Sequence, residues 1–239
     1  MNKSIFFTFI GILILLIGFS VFFKNEKVEP APVATLTDPV ITASSSIVVQ
    51  FKNGEETILF SKNPDMELPL ASITKLFTAY VSTSSDLFYP MLVESSNEAA
   101  EKVASKNTVA MMNGFAKEIG LTHTMFFNPS GKDAPGPNFS SAKDIAHLMY
   151  ELYQTEHGKE ILMIGRAFTP TATNKSLVDP RIPFKIIGGK TGETPKAGQT
   201  LTLLVEADNS LIALVVLGSK NRFEDMAKLA QWTNEKINR

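Results

Sequence analysis

The stretch TLTLLVEADNSLIALVVLG, residues 200–218, decides the architecture. Two apolar, β-branched runs, TLTLLVEA (200–207) and LIALVVLG (211–218), flank the tight-turn composition Asp208-Asn209-Ser210. Runs of this length around such a turn predict an antiparallel hairpin. Just upstream, KIIGGKTG (185–192) predicts a third strand. Far upstream, SIVVQFKNGEETILF (46–60) predicts a second hairpin, with Asn53-Gly54 as its turn. Two strands alone are marginal in water, so this hairpin must join the closing strands in one sheet.

The residues between the two hairpins change period. Ile73, Leu76, Phe77 and Tyr80 fall on one helical face. The turn STSSD (82–86) separates two short helices within 72–106, with Ser85 or Asp86 as the N-cap of the second. A further helix fits 108–119 and stops at Gly120, a residue suited to the left-handed position after a helix. A Pro/Gly-rich loop, FFNPSGKDAPGPNFS (126–140), precedes the amphipathic segment SAKDIAHLMYELYQ, and RFEDMAKLAQWTNEKI closes the chain as a helix. Strands, helices, strands and a helix, joined by hairpins, predict an α+β fold with a mainly antiparallel sheet packed with helices.

The N-terminus follows other rules. Residues 5–23, IFFTFIGILILLIGFSVFF, carry no charge and are bracketed by Lys3 and Lys24. Nineteen residues at ~1.5 Å each suffice for a hydrocarbon core of ~30 Å. A cleaved signal has a shorter apolar region and a small-residue cleavage site, which this stretch lacks. The reading is therefore a transmembrane anchor at 1–23. Residues 24–44, with Pro30, Pro32 and Pro39, read as a tether, and the soluble domain as 45–239.

Composition excludes several classes of function. A net charge of −1 gives no basic surface for nucleic acid. The absence of cysteine removes thiol catalysis and disulfides. His123, His147 and His157 show no metal-ligand spacing, and no cofactor is implied. The stretch GGKTGET (188–194) contains Gly-Lys-Thr, but a phosphate loop needs a glycine five residues before Gly189, where Phe184 stands.

Three short motifs carry chemistry instead. Ser72-Ile73-Thr74-Lys75 is S-x-x-K at a helix start, Ser95-Ser96-Asn97 is S-x-N at a turn between helices, and Lys190-Thr191-Gly192 is K-T-G on a strand. Residues i and i+3 share a helix face, so Lys75 can reach the Ser72 hydroxyl. A serine hydroxyl needs a neighbouring base before it attacks. A buried lysine beside another cation, for which Lys190 is the candidate, can be that base. Ser95 is placed to relay a proton and Asn97 to hold a substrate amide. Gly192 lets a peptide backbone come close to the strand, and Lys190 with Thr191 suits a carboxylate. Asp144 reads as a first-turn acid, and Asn128 and Ser140 as loop-shaping residues, with substrate contact as the alternative.

The ordered trio marks class A β-lactamases and penicillin-binding proteins. Beyond it, residues 45–235 resemble the serine-type D-alanyl-D-alanine carboxypeptidases, the low-molecular-mass penicillin-binding proteins. The resemblance runs through the opening hairpin and nucleophile helix, LFYPMLVESSNEAAEKVA, IGLTHTMFFNPSGKD with FSSAKDIAHLM, and the closing strands and helix. It implies a β-lactamase/transpeptidase-like fold with a small helical subdomain. It also implies an acyl-enzyme reaction on peptidoglycan stem peptides ending in D-Ala-D-Ala, with β-lactams as covalent inhibitors. Ser72 is then the nucleophile, Lys75 the base, and Ser95 and Asn97 the second motif. Lys190 and Thr191 contact the carboxylate, and the backbone N–H groups of Ser72 and Glu193 form the oxyanion hole. Lys220 and Arg222 are both candidates for a further cation at the carboxylate. Together with the anchor, this implies a single-pass cell-membrane protein with an extracytoplasmic catalytic domain.

Two departures from the family pattern stand out. Only 22 residues separate Ser72 from Ser95, where relatives carry several dozen more, which implies a shallower cleft. The chain also ends soon after Trp232, without the C-terminal β-rich domain of many relatives. A non-catalytic penicillin- or peptidoglycan-binding relative is the alternative of a different class. A class A-like β-lactamase would need a glutamate in E-x-x-L-N between Ser95 and Lys190. No such motif occurs there, and Glu118, Glu151, Glu156 and Glu160 read as solvated helix faces.

Overall fold

A computed structural model of the chain describes residues 36–83 and 86–239. The expected anchor, the tether as far as residue 35, and Ser85 lie outside the described residues. Among the described residues no helix is long and apolar enough to cross a membrane.

The first hairpin is β1 (Ser45–Lys52) and β2 (Glu55–Lys62). Asn53 and Gly54 both have positive φ, 54° and 81°, the requirement of a two-residue turn matched to strand twist. The short strand β3 (Leu68–Pro69) leads into a 3-10 turn, Ala71–Ile73, and helix α1 (Thr74–Tyr80). Helices α2 (Phe88–Leu92), α3 (Asn97–Val103) and α4 (Thr108–Glu118) follow. The loop after α4 ends in β4 (Phe139–Ser140), which pairs with β3. Helices α5 (Ala142–Gln154) and α6 (Glu156–Gly165) precede the closing strands. These strands are β5 (Lys185–Thr194), β6 (Gly198–Ala207) and β7 (Ser210–Ser219), and α7 (Arg222–Ile237) ends the chain.

The strands form one five-stranded sheet in the order β2-β1-β7-β6-β5, with every pair antiparallel. The first hairpin thus joins the closing strands through β1 and β7, where Ile47 faces Val215 and Val49 faces Ala213. Strand β5, which carries K-T-G, lies at the sheet edge. Helices cover both faces. Ile47, Val49, Phe51, Ala213, Val215 and Leu217 join the helical core, and Phe51 stacks on Tyr150 of α5. From the other face Phe60 meets Trp232 of α7 edge-on. Helix α1 runs through the middle of the helical layer, with Thr74 to Ala79 all buried.

Three local expectations change. Residues 38–44, read as tether, belong to the compact unit that begins at Asp38, and Ile41 and Ala43 are buried. The backbone N–H groups of Thr42 and Ala43 both donate to the Asp225 carboxylate at 2.9 Å. Asp225 is itself fully buried at the start of α7, so these residues supply partners that its charge requires. Asp86 does not cap a helix, because α2 begins only at Phe88, after Leu87, without a side-chain cap. The turn expected at the second motif falls between α2 and α3, with Ser95 at φ 63°. Asp144 does more than meet the helix dipole, since its carboxylate accepts from His123 N at 2.8 Å and Thr124 Oγ1 at 2.7 Å.

Candidate active site

The Ser72 turn is clamped on two sides. Ala71 adopts φ 49°, a left-handed conformation that costs a non-glycine residue energy and is tolerated where surroundings enforce it. Leu70 N donates to Asn138 O at 2.9 Å, and Thr200 Oγ1 donates to Leu70 O at 3.1 Å. Gly131, at φ +84°, comes so close that any Cβ there would overlap the Ala71 carbonyl. On the sheet side a Cβ at Gly192 would stand 2.8 Å from Ser72 N and 2.9 Å from Ala71 Cβ. The close approach at Gly192 is therefore first of all that of the Ser72 turn itself. The expectation for this glycine invoked only an incoming peptide.

Lys75 stands one helical turn beyond Ser72 and is fully buried. Its Nζ lies 2.7 Å from Ser72 Oγ, 2.8 Å from Asn97 Oδ1 and 2.8 Å from the Ser130 carbonyl. Burial first, then the nearby Lys132 ammonium, push Lys75 down to about 7, with Glu101 acting in the opposite direction. A lysine with that value is half unprotonated near neutrality, which a general base requires.

The second motif is built by capping. Ser96 Oγ accepts from Ala99 N at 3.1 Å and so starts α3. This fixes Asn97 as the first helical residue, with its side chain at Lys75, and turns Ser95 toward β5. The Ser95 hydroxyl accepts from Lys190 Nζ at 2.8 Å. Lys190 is buried and also donates to Thr191 O at 3.0 Å. Burial, followed by the charges of Lys75 and Arg222, holds Lys190 well below the usual lysine range. The two motif lysines therefore lie close enough for their charges to oppose one another, and Lys132 is a further cation near Lys75. The short Ser72–Ser95 connection still returns the chain to the site. Val93 O anchors it by accepting from Thr173 N at 3.0 Å, and Thr173 Oγ1 meets Thr191 Oγ1 at 2.7 Å.

Of the two candidate cations, Arg222 reaches β5 and Lys220 does not. Arg222 Nη1 donates to Gly192 O at 3.0 Å and to Glu193 Oε2 at 2.9 Å. Lys220 is exposed, and its backbone N–H donates to Thr42 Oγ1. Asn128 shapes the loop, its Oδ1 accepting from Gly131 N at 2.7 Å and Lys132 N at 3.1 Å. Ser140 Oγ meets Thr124 Oγ1 at 2.7 Å.

Sequence reasoning passed over Glu101, Ser130 and Lys132. Ser130 Oγ donates to Glu101 Oε1 at 2.8 Å while its carbonyl accepts from Lys75, and Lys132 pairs with Glu101 at 3.4 Å. Glu101 lies one helical turn beyond Asn97, so the second motif fixes the helix face it occupies. Ser130 and Lys132 come from a loop whose path no local pattern specifies.

A serine hydroxyl on a buried lysine and a second serine on a second buried lysine thus meet beside a sheet edge. Residues 82–221, more than half of the chain, match the family model of the Peptidase S11 D-alanyl-D-alanine carboxypeptidases, and the chain belongs to that serine-type hydrolase family. The match takes in the second and third motifs and begins after Lys75. Over 268 aligned residues the chain is 25% identical to the D-alanyl-D-alanine endopeptidase of Escherichia coli, covering 88% of this chain and 83% of that one. It is 27% identical to the carboxypeptidase DacC of the same organism over 83% of this chain, but spans only 62% of DacC. The fold superposes on penicillin-binding protein D2 of Listeria monocytogenes, solved in the cefotaxime-bound form. The TM-score is 0.69 at 24% identity, covering 82% of this chain and 98% of that one.

Proposed function

We propose that the chain is a membrane-anchored serine carboxypeptidase that removes the terminal D-alanine of peptidoglycan stem peptides through an acyl-enzyme. The observation that carries this reading is the pair of neighbouring hydrogen-bonded groups, Lys75 with Ser72 and Asn97, and Lys190 with Ser95. Ser72 Oγ attacks the penultimate carbonyl carbon as its proton passes to Lys75 Nζ. The oxyanion faces the backbone N–H groups of Ser72 and Glu193, preorganised by the close seating of Gly192 against the Ser72 turn. Ser95 delivers a proton to the leaving nitrogen as the C–N bond breaks. Water then hydrolyses the ester, releasing the shortened peptide and restoring Ser72. The extended substrate lies along the free edge of β5. Residues 1–23 serve as a single-pass anchor and 24–37 as a tether that holds the catalytic unit on the extracytoplasmic side. The uncharged run 5–23 supports this part of the reading.

Intact-mass analysis after incubation with benzylpenicillin tests the mechanism. A one-to-one adduct mapped to the peptide containing Ser72, together with D-alanine release from a stem pentapeptide, is the expected result. No adduct on Ser72 removes the acyl-enzyme mechanism. Adduct without D-alanine release leaves a penicillin-binding relative, and rapid turnover of the penicillin a β-lactamase.

The acylation rate should follow the unprotonated fraction of Lys75, rising through about pH 7 and levelling above it. Glu101 favours the protonated form and Lys132 disfavours it. Glu101→Gln should therefore move the midpoint to lower pH, and Lys132→Met should move it to higher pH. Labelling rates with a fluorescent penicillin across pH 5 to 9 check both signs.

A further inference from the structure

The cations that should receive a substrate carboxylate are already engaged. Lys190 is turned to Ser95 Oγ and the Thr191 carbonyl, and its burial beside Lys75 and Arg222 weakens its hold on a proton. Arg222, only 13% exposed, is a further cation beside the K-T-G end of β5, and its Nη1 is shared between the Gly192 carbonyl and the Glu193 carboxylate. Glu193 itself is 57% exposed and directly follows K-T-G, so its charge faces the cleft rim. Other carboxylates near this end are held elsewhere: Asp133 accepts from Thr194 Oγ1 and Lys196 N, and Glu101 from Ser130. Glu193 thus neutralises the one guanidinium at the place where a terminal carboxylate would arrive. An incoming anion must share this guanidinium with Glu193 and sit beside its carboxylate.

We infer that Glu193 is a specificity-determining residue that weakens the site's preference for a free C-terminal carboxylate, so that leaving groups without one are accepted comparably. The additional class admitted is an acyl-D-alanyl bond to a neutral or amine-bearing partner, such as a carboxamide-terminated residue or a side-chain amine in a cross-link. Such groups meet no repulsion from Glu193 and require no cation. Like charges brought together across a binding surface are a recurrent device of discrimination. This inference rests on the acyl-enzyme reading above and names the substrate class of that same site.

The test uses the full chain and Glu193→Gln with two stem peptides that differ only in ending as D-Ala-D-Ala carboxylate or carboxamide. Within each protein the readout is the ratio of kcat/KM for the two peptides, so a general loss of activity cancels. The parent is expected to favour the carboxylate by no more than about threefold. Glu193→Gln is expected to raise that preference by roughly tenfold, through KM rather than kcat. Equilibrium binding of both peptides to Ser72→Ala, with and without Glu193→Gln, should show the same shift independently of turnover. A parent that already prefers the carboxylate a hundredfold overturns the inference, even if the glutamine variant fails to fold. Binding of both peptides with a ratio that Glu193→Gln leaves unchanged overturns it as well, while the catalytic reading stands. Failure of both peptides to bind removes the catalytic reading and the inference together.

Discussion

Replacement of Ser72 by alanine is expected to abolish the covalent penicillin adduct, and replacement of Lys75 by methionine to slow its formation by roughly a thousandfold or more. Positioned general bases contribute about 10²–10⁴ to such steps. In the chain Lys75 is the basic side chain within hydrogen-bond reach of Ser72 Oγ, at 2.7 Å. Methionine keeps much of the buried stem and removes the base. It also strips a donor from Asn97 Oδ1 and from the Ser130 carbonyl. The buried Ser130 carbonyl loses about 1–3 kcal/mol of satisfaction. Relief of the desolvation that holds Lys75 near 7 offsets part of this loss. The thermal midpoint should therefore move by only about 2–6 °C, which separates a chemical defect from unfolding. The residual acylation of Lys75→Met should also lose the pH dependence centred near 7. The double variant should be no worse than Ser72→Ala alone, because the two residues act as one unit. Stopped-flow labelling, circular dichroism and intact mass read these outcomes. Labelling of Lys75→Met at the parent's rate would sink the proposed role of Lys75.

Gly131→Ala is expected to lower both stability and acylation, although the residue lies far from Ser72 in sequence. Alanine at φ +84° is strained wherever it sits, and here its Cβ has no room, because the Ala71 backbone carbonyl occupies the space. Backbone cannot rotate away as a flexible side chain can. The cost should be on the order of 3 kcal/mol, the sum of a left-handed conformation and overpacking. Relaxation must push either the 126–140 loop or the Ala71–Ile73 turn. The first displaces the Ser130 carbonyl from Lys75, and the second displaces Ser72 N from Gly192. Misplacement of about 1 Å in such a site is worth roughly a hundredfold in rate. Gly120→Ala provides the contrast. It has a similar φ of +76° but no atom within 4 Å of the added Cβ, so it should cost stability modestly and acylation hardly at all. Equal acylation defects in the two variants would refute the packing argument.

Much of the fold is written locally. The turns at Asn53-Gly54 and Asp208-Asn209 take positive φ at both residues, as short polar and glycine side chains allow, and each hairpin follows from its turn. The bounds of α4 and the stop at Gly120 match the helical period and the left-handed preference of glycine. Helix α6 was not distinguished in the sequence from α5. Thr155 both ends one and caps the next by accepting from Gly158 N, so the two helices meet without an intervening loop. Residues 38–44 were read as tether because they lack periodicity. They are held by a buried carboxylate that lies 182 residues away from Ala43.

By itself, the sequence determined the antiparallel hairpins, the helical middle and the three motifs, because each depends on spacings of a few residues. The i, i+3 relation already placed Lys75 beside Ser72, and the Ser96 cap already started the helix that carries Asn97 and Glu101. Only the tertiary structure decided which charges surround these groups. It set Lys132 and Glu101 against Lys75, chose Arg222 over Lys220, and closed Glu193 onto Arg222. It also showed that Gly131 and Gly192 make room for the Ala71–Ser72 turn. The physical reason is one of range. Periodicity, capping and turn chemistry act along a few residues of backbone, whereas electrostatics and steric contact depend on distances between segments far apart in the chain.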